Sequence, residues 1–254
     1  AVLPVRKLSL ALTEGVAQAN GKALMELLNF DDTGYGDELL AGVFITIRLA
    51  LLSFLLALIL GVVLGFVALA KNRLLQAFWR TYASVFMGVP SILIVFFLYF
   101  NAPGLLKSAF NLRVDVTPFV AGVSALAIVY AAYVGEAVRG AVLNIPRGQW
   151  DAAHALGLRN LSMWWLVILP QIWRIALPGV TNIWMTTLKD TALVSLVGLT
   201  DLVRMADIAA AATQEPFLFY VVAGLVFVVF SGLTMAGSVR LERWAFRGQQ
   251  KTKG

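Results

Sequence analysis

The sequence predicts an all-α membrane protein with about five transmembrane helices. Of its 254 residues, 60% are hydrophobic and 13% are charged, and the mean hydropathy is +0.83. A soluble domain is roughly half apolar and a quarter charged. Several apolar stretches are long enough to cross a hydrocarbon core of about 30 Å, which takes roughly 20 residues of helix. The lipid bilayer is therefore the first partner that the sequence indicates.

Composition also excludes several functions. The net charge is +6, but Lys and Arg stand mostly at the ends of apolar runs instead of forming a basic patch, so nucleic acid is not an expected partner. The chain has no cysteine and a single histidine, His154. These counts argue against a thiolate or histidine metal site and against a Ser-His triad. We expect neither a metal ion nor a catalytic residue in this chain.

The chain is expected to begin with an extension over residues 1–38. Its basic and apolar start resembles a signal peptide, but Glu14 interrupts the apolar run, so we expect the extension to remain in the mature protein. Within it, residues 23–28 have the pattern of a short amphipathic helix lying on the membrane. The transmembrane domain follows over residues 39–246, and residues 247–254 form a tail.

Five spans are expected within that domain. Pro90 lies inside the second span, and Pro170 and Pro178 interrupt the fourth apolar run, where we expect a bent entry before the span itself. Gly61 and Gly65 in the first span form a small-xxx-small pair, which is typical of a helix contact within the subunit or with a partner. The expected spans are 49–70 with an extension upstream past Arg48, 81–106, 116–135, 172–188 and 216–239.

The distribution of Lys and Arg orients these spans. Cytoplasmic loops carry an excess of basic residues, and five spans place the two termini on opposite sides. Most Lys and Arg fall on one side when the C-terminus is cytoplasmic and the N-terminal extension is periplasmic. The polar, helix-favouring segment GQWDAAHALGLRNL, which begins at Gly148, is then cytoplasmic.

Two interpretations of this cytoplasmic segment are open. It is either an ordinary loop that happens to be helical, or a docking element that receives force from a soluble motor. The sequence contains no G-x-x-x-x-G-K-[ST] phosphate-binding loop, so nucleotide chemistry must reside in another chain.

The same segment carries a family resemblance. DAAHALG, followed by nine residues and then VILP, resembles the EAA motif of ATP-binding-cassette (ABC) importer permeases, E-A-A-x3-G-x9-I-x-L-P. Asp stands in place of Glu, and Val167 in place of Ile. The residues that correspond to the motif are Asp151, Ala152, Ala153, Gly157, Leu169 and Pro170. We expect these residues to couple the chain to an ATPase.

The resemblance extends over roughly residues 38–246. YVGEAVRGAVLNIPRGQW, ILPQIWRIALPGVTN and LKDTALVSLVGLTDL resemble polar amino-acid permeases, in particular the histidine/lysine/arginine/ornithine and opine branch. Two features depart from the family. Met87 stands where the family often has a basic residue before Gly-x-Pro, and the N-terminal extension is longer than is usual.

The resemblance implies a type I ABC importer permease fold with a cytoplasmic coupling helix, in the bacterial inner membrane. The chain would be a transport subunit and no enzyme, with ATP and Mg bound by a partner ATPase and no cofactor of its own. The implied partners are two ABC ATPase subunits, a second permease chain that is identical or related, and a periplasmic solute-binding protein. The implied solutes are polar, mainly basic, amino acids or opines. In this scheme Gly157 lets the coupling helix seat in an ATPase groove, and Leu169-Pro170 starts the bend into the fourth span.

Ionisable residues at membrane depth are costly and usually face a cavity or a partner. We hypothesise that Glu136 and Asp190 accept a cationic amino acid, with Thr191 and Ser195 supplying hydroxyls and Lys189 beside them in the solute path. The alternative is that Glu136 pairs with a nearby arginine and that Lys189 and Asp190 lie at the outer interface. The residues of this kind are Arg48, Glu136, Arg174, Lys189 and Asp190.

The segment TALVSLVGLTDL, which follows Asp190, is too short to span the membrane and too apolar for a free loop. The resemblance favours a re-entrant element that lines the translocation path, and non-helical backbone at membrane depth is tolerated where it lines a cavity. An interfacial helix on the outer rim is the alternative.

Two other function classes are compatible with a small polar-solute pathway: a secondary transporter and a channel subunit. A secondary transporter usually has more spans and an internal repeat, and neither is found in this sequence. A channel has no need for the docking pattern.

Overall fold

The computed structural model describes residues 25–31, 34–111 and 115–245. Of the expected amphipathic helix over 23–28, residues 23 and 24 lie outside the described residues, residues 25 and 26 are helical, and residues 27 and 28 form a turn. Most of the extension and the whole C-terminal tail also lie outside the described residues. Within the described residues the regular elements are all helical, which confirms the predicted fold class. In chain order they are α1 (Gly36–Ala68), α2 (Arg73–Gly88), α3 (Ser91–Phe110), α4 (Pro118–Leu143), α5 (Arg147–Ala155), α6 (Asn160–Met163), a π-helical turn (Trp164–Ile168), α7 (Leu169–Asp190), a 3-10 segment (Thr191–Val197), α8 (Leu202–Thr213) and α9 (Pro216–Ala245).

Five stretches of the described residues are helical, long and apolar enough to cross a membrane, as predicted. They occur in the predicted order, but their bounds differ from the predicted ones. The structural bounds are Gly36–Ala68, Ser91–Ala109, Pro118–Leu143, Asn160–Val197 and Pro216–Ala245.

The chain divides into two compact units. One contains the described residues up to Ile45 together with Thr200–Leu225, and the other contains Thr46–Leu199 together with the described residues from Val226 onward. The second, larger unit holds the EAA-like segment and most of the spanning helices.

Helix α4 lies at the centre of the larger unit. Its apolar face is buried over most of its length, and α1 packs against it at two glycines. A Cβ placed on Gly61 would lie 2.4 Å from Cβ of Val134, and one on Gly65 would lie 2.8 Å from Cβ of Val138. The small-xxx-small pair is therefore a contact within the subunit. Its glycines allow the backbones of α1 and α4 to approach closely.

The prediction of one continuous second span over residues 81–106 is wrong. Helix α2 ends at Gly88, the next two residues are extended, and α3 begins at Ser91. Pro90 explains the break, because proline disfavours helical backbone at the residue before it and lacks an N–H of its own. Pro103, in contrast, is accommodated inside α3.

The third span, α4, continues past its predicted end near residue 135 to Leu143. Glu136 and Arg139 are tolerated inside it because they pair with each other one helical turn apart. The paired charges therefore extend the helix instead of ending it.

The prediction that prolines break the fourth run is also wrong. Pro170 is the second residue of α7, and Pro178 lies inside that helix. A π-helical turn precedes Pro170, in which the N–H of Leu169 donates to the carbonyl of Trp164, five residues back. The wider turn accommodates the proline ring and its missing N–H without ending the helix.

In the smaller unit, Asp201 caps the start of α8. Its Oδ1 accepts a hydrogen bond from the backbone N–H of Arg204 at 3.0 Å. The side chain is buried, and Oδ2 has no hydrogen-bond partner within the described residues. Because burial disfavours the charged form, it raises the pKa of Asp201 to about 6.

The raised pKa of Asp201 predicts a pH-dependent stability. Between the ordinary value of 3.8 and about 6 the folded protein holds a proton that the unfolded chain releases. The free energy of unfolding therefore falls as pH rises through this window. Asp201→Asn keeps the cap, since Asn caps as well as Asp, and should be more stable than the parent at pH 8 by at most about 3 kcal/mol. Thermal unfolding of both proteins at pH 4 and pH 8 checks this; a difference independent of pH would contradict it.

Candidate functional site

The EAA-like segment folds into α5 and a tight turn that caps the C-terminal end of this helix. Gly157 has φ +72° and lies just beyond the helix. Its N–H donates to the carbonyl of His154 at 2.9 Å, and the N–H of Leu158 donates to that of Ala153 at 3.1 Å. This pair of bonds is a Schellman motif, in which glycine adopts the left-handed conformation at little cost. Gly157 therefore ends the helix and turns the chain.

The motif residues on α5 divide into an inward and an outward set. Ala153 is 2% exposed and packs in a cluster with Met163, Ile168 and Ile172. Asp151 and Ala152 face outward and are exposed. The small side chain of Ala153 lets α5 lie close to the start of the fourth span, while the other two residues are accessible to a partner.

Aromatic and amide contacts join α5 to the fourth span. The ring of Trp150 packs edge-on against Trp164 at 5.4 Å, and Trp164 packs in the same way on Phe66 of α1 at 5.8 Å. Nε2 of Gln171 donates to Oε1 of Gln149 at 3.1 Å. These contacts connect α5 to the π-helical turn and, through Trp164, to α1.

The second half of the motif coincides with the π-helical turn. Val167 lies within the turn, and Leu169 and Pro170 begin α7 directly after it. Turns of this type are frequent at functional sites and interrupt the regular helical ladder. The bend expected at Leu169-Pro170 is thus replaced by a local widening of a continuous helix.

Exposed leucines on this surface are a feature that the sequence analysis missed. Leu156 is 79% exposed and Leu161 is 72% exposed, and both flank the Gly157 turn. Nothing in the hydropathy pattern around Gly157 predicts that these two leucines are exposed. With Ala152 and Ala155 they form a small apolar patch at the end of α5, which we call the α5 patch.

The positive φ of Gly157 leads to a specific prediction. No atom lies within 4 Å of a Cβ built at this position, so Gly157→Ala creates strain without a clash. The left-handed conformation costs an alanine about 1–2 kcal/mol, and we expect this loss of stability with a frayed end of α5. Gly140→Ala is the control, because Gly140 lies inside α4 with equal open space. Thermal unfolding that ranks the two variants equally would contradict the role of the cap.

Glu136 and Arg139 form a two-pronged ion pair. Nε and Nη2 of Arg139 donate to the two carboxylate oxygens of Glu136 at 2.8 and 2.6 Å. The pair lines a polar cavity of about 370 Å³ together with Arg80, Gln76 and Trp79. The cavity offers both charge signs to a small polar molecule.

Asp190 lies apart from this cavity. Its Oδ2 accepts a hydrogen bond from the hydroxyl of Tyr130 at 2.7 Å, and the neighbouring Lys189 is exposed. The hydroxyls of Thr191 and Ser195 are directed inward and donate to the carbonyls of Leu188 and Ala192 at 2.7 and 2.6 Å. The segment expected to be re-entrant begins with a 3-10 helix at Thr191. The structure thus brings Asp190, Thr191 and Ser195 together on one segment and places Glu136 elsewhere.

Comparison with known proteins identifies the class. Residues 57–245 match the family described as "binding-protein-dependent transport system inner membrane component". The match covers most of the chain, and the chain belongs to this family. It is a multi-pass membrane permease subunit, a transport component and not an enzyme, and an EAA motif with a coupling helix is typical of the family.

Curated relatives match most of the chain. The nopaline transport system permease protein NocQ of Agrobacterium fabrum is 36% identical over 230 residues, which cover 88% of this chain and 98% of that protein. The arginine ABC transporter permease protein ArtQ of Haemophilus influenzae is 36% identical over 78% of this chain and 88% of its own. The histidine/lysine/arginine/ornithine transport system permease protein HisQ of Salmonella typhimurium is 35% identical over 83% of this chain and 94% of its own.

Solved structures confirm the type I importer permease fold. An amino acid ABC transporter with histidines matches with a TM-score of 0.73 and 28% identity, covering 82% of this chain and 94% of that chain. The MetNI methionine ABC transporter matches in fold, with a TM-score of 0.66 and 18% identity over 82% of this chain and 96% of that chain. No cluster of three or more potential metal ligands occurs among the described residues.

Proposed function

We propose that this chain is the permease subunit of an ATP-driven importer that takes up polar amino acids or opines, in particular basic ones, across a bacterial inner membrane. The relatives named for nopaline, arginine and the histidine/lysine/arginine/ornithine group support this solute class. The observation that carries the proposal is an EAA motif folded into a short helix with one anchored and one exposed face, within a permease fold.

The proposed mechanism assigns force transmission to α5. Two ATPase subunits, which hold ATP and Mg, bind the exposed faces of α5 on this chain and on a second, identical or related permease chain. Closure of the ATPase dimer moves α5, and the Trp150, Trp164 and Phe66 rings carry the movement into the spanning helices. Alternating access results from this rigid-body displacement. A periplasmic binding protein supplies the solute to the outward-facing state.

The proposed orientation places α5 and the C-terminus in the cytoplasm and the N-terminus in the periplasm. It is supported by the basic residues that flank the loops at the α5 end of the helices. A single cysteine introduced at Leu156, in membranes that carry the permease without its ATPase, should react with an impermeant maleimide in inside-out vesicles only. Reaction in intact spheroplasts would contradict the orientation.

Reconstitution tests the function directly. The chain is assembled with its ATPase and second permease in proteoliposomes, and ATP hydrolysis is measured with binding protein and either arginine, histidine, nopaline or octopine. We expect hydrolysis to rise several-fold with the loaded binding protein and uptake of that solute to accompany it. Solute uptake that persists without any ATPase subunit would instead support a secondary transporter or channel.

We further propose that the solute path includes Glu136, with Asp190, Thr191, Ser195 and Lys189 on a separate segment of it. The polar cavity beside Glu136 supports this, because its volume of about 370 Å³ lies within the range of small-molecule sites. Arg80, which has no ion pair within the described residues, is suited to a solute carboxylate, and the Glu136 carboxylate to an ammonium or guanidinium group.

Amide substitutions test this path. Glu136→Gln and Asp190→Asn, made separately, should lower uptake of a cationic solute about tenfold, since each removes a charged partner of the solute. Arg139→Gln is the matched control for Glu136, because it breaks the same ion pair but keeps the carboxylate. Glu242→Gln at the end of α9 controls for a general loss of charge. Unchanged rate and selectivity in both amide variants would overturn the assignment, as would equal losses in Glu136→Gln and Arg139→Gln.

A further inference from the structure

An apolar groove of about 430 Å³ runs along the surface of the larger unit. Its walls come from α1, α4, the π-helical turn and α7, and its lining side chains are hydrophobic throughout. Val62, Trp165 and Trp173 contribute exposed apolar surface to it, with exposed fractions of 40%, 63% and 51%. A groove of this kind is suited to a hydrocarbon chain.

A smaller cavity of about 200 Å³ lies beside this groove. The two share Pro170 and Trp173, and the smaller one adds Arg174, Trp244 and Ala245. Arg174 makes no salt bridge with any acidic side chain of the described residues. Its guanidinium is therefore available to an anion at the end of the apolar groove.

The groove has the depth of one membrane leaflet. Leu169 and Val180 both line it and are eleven residues apart on α7, which corresponds to about 16 Å along the helix axis, or roughly half of a 30 Å hydrocarbon core. Phe66, near the end of α1, also lines the groove and contacts Trp164, which packs on α5. The groove therefore lies at the α5 end of the helices. Trp165 and Trp173 line the groove, Trp244 lines the smaller cavity, and tryptophans are typical of the membrane interface.

We propose that the groove and the Arg174 cavity together bind one anionic phospholipid from the leaflet on the α5 side. An acyl chain occupies the apolar groove, and the phosphate group binds the guanidinium of Arg174. Arginine donates paired hydrogen bonds to phosphate oxygens, and basic pockets between membrane helices are suited to anionic lipid headgroups. A soluble anion would leave the groove empty, and an uncharged hydrophobe would leave Arg174 unpaired, so both features fit a single amphiphilic anion.

The site borders the second half of the EAA motif, since Leu169 and Pro170 form part of its wall. A bound lipid would pack against the π-helical turn that joins α5 to the fourth span. The consequence for transport, a dependence of coupled ATP hydrolysis on anionic lipid, rests on the proposed function, whereas lipid binding itself does not.

Lipid retention by the intact transporter complex tests the proposal. The complex is exchanged into nanodiscs or detergent containing equal amounts of phosphatidylglycerol and phosphatidylcholine, and retained lipid is counted by native mass spectrometry. We expect retention of phosphatidylglycerol, and a loss of about tenfold in affinity for it in Arg174→Gln, in line with the loss of a charged hydrogen bond. Arg73→Gln, at an exposed arginine at the start of α2, should bind as the parent does.

A second variant separates the groove from the charge. Val62→Trp fills the groove from an exposed position and leaves Arg174 intact, so it should also lower phosphatidylglycerol retention. Equal retention of both lipids by the parent, or unchanged retention in both variants, would overturn the proposal.

If Val62→Trp changes the number of permease chains in the complex while lipid retention stays constant, the groove is an interface between copies of this chain, and the lipid proposal is wrong. Inorganic phosphate that displaces the lipid completely would assign Arg174 to a free anion and overturn it too. Because retention is measured without transport, failure of this site is distinguishable from failure of the proposed function.

Discussion

Leu156→Asp is expected to abolish coupled transport while leaving the membrane domain folded. Leu156 is 79% exposed and belongs to the α5 patch. If the ATPase covers this patch, the substitution places an unpaired carboxylate in a desolvated interface. Such a change costs roughly 2 kcal/mol or more, equivalent to a loss of about thirtyfold or more in affinity for the ATPase. Co-purification of the ATPase and uptake in proteoliposomes are the measurements.

Leu74→Asp is the matched control for this experiment. Leu74 is 78% exposed and lies at the start of α2, outside the α5 patch. It should retain the ATPase, and both variants should unfold at the temperature of the parent. Retention of the ATPase by Leu156→Asp, with parent-like stimulation by loaded binding protein, would count against docking at this patch.

Gly61→Ala is expected to cause a severe loss of folding yield. A Cβ at Gly61 would lie 2.4 Å from Cβ of Val134 and 2.9 Å from the backbone oxygen of Ala131. These distances are far below van der Waals contact, so α1 must move away from α4. Overpacking of a close helix contact typically costs about 1–3 kcal/mol and sometimes more. The fraction of monodisperse protein in detergent and its unfolding temperature give the size of the effect.

Gly232→Ala is the control for the glycine effect, since Gly232 lies within α9 and no atom lies within 4 Å of its Cβ position. A second-site change, Val134→Ala, removes the contact with Cγ1 of Val134 at 2.6 Å but keeps the closer contact with Cβ, so it should restore only a small part of the stability of Gly61→Ala. The restoration should be incomplete because the carbonyl of Ala131 remains close. Equal behaviour of the Gly61 and Gly232 variants would show that α1 and α4 do not pack through this glycine.

The number and order of the spans could be predicted because the bilayer imposes a length and an apolar composition on each helix. The local breaks could not be predicted from the same pattern. Pro90 ends a helix, whereas Pro170 and Pro178 are accommodated within one. A π-helical turn precedes Pro170, and hydropathy alone carries no information about where such a turn forms.

The candidate coupling site was located from its motif, but the roles of its residues were only partly predictable. Spacing placed Asp151, Ala152 and Ala153 on one short helix, and the structure adds that Ala153 faces inward. The motif identified Gly157 as part of the site, and the structure adds that it occupies a left-handed cap just beyond the helix. A glycine near the end of a helical pattern can either lie inside the helix or cap it. Because Ala155 and Leu156 before Gly157 also favour helix, the sequence pattern did not show where α5 ends.

The charged residues show a similar limit. The spacing of Glu136 and Arg139 is that of neighbours on one helix, so their ion pair was one of two foreseeable outcomes. The cavity beside them depends on Arg80 and Gln76 from α2, which is far away in sequence. Tertiary packing of this kind is not encoded in local periodicity.

Site-specific cross-linking tests the central claim that the outward face of α5 binds the ATPase. The native chain contains no cysteine, so Ala152→Cys and Ala153→Cys each introduce a single reactive position in adjacent residues. Ala152 is exposed and Ala153 is 2% exposed. With a short maleimide-benzophenone reagent on the assembled transporter, we predict cross-links to the ATPase from position 152 and none from position 153. The absence of ATPase cross-links from position 152, in a complex that hydrolyses ATP and transports solute, would contradict the account.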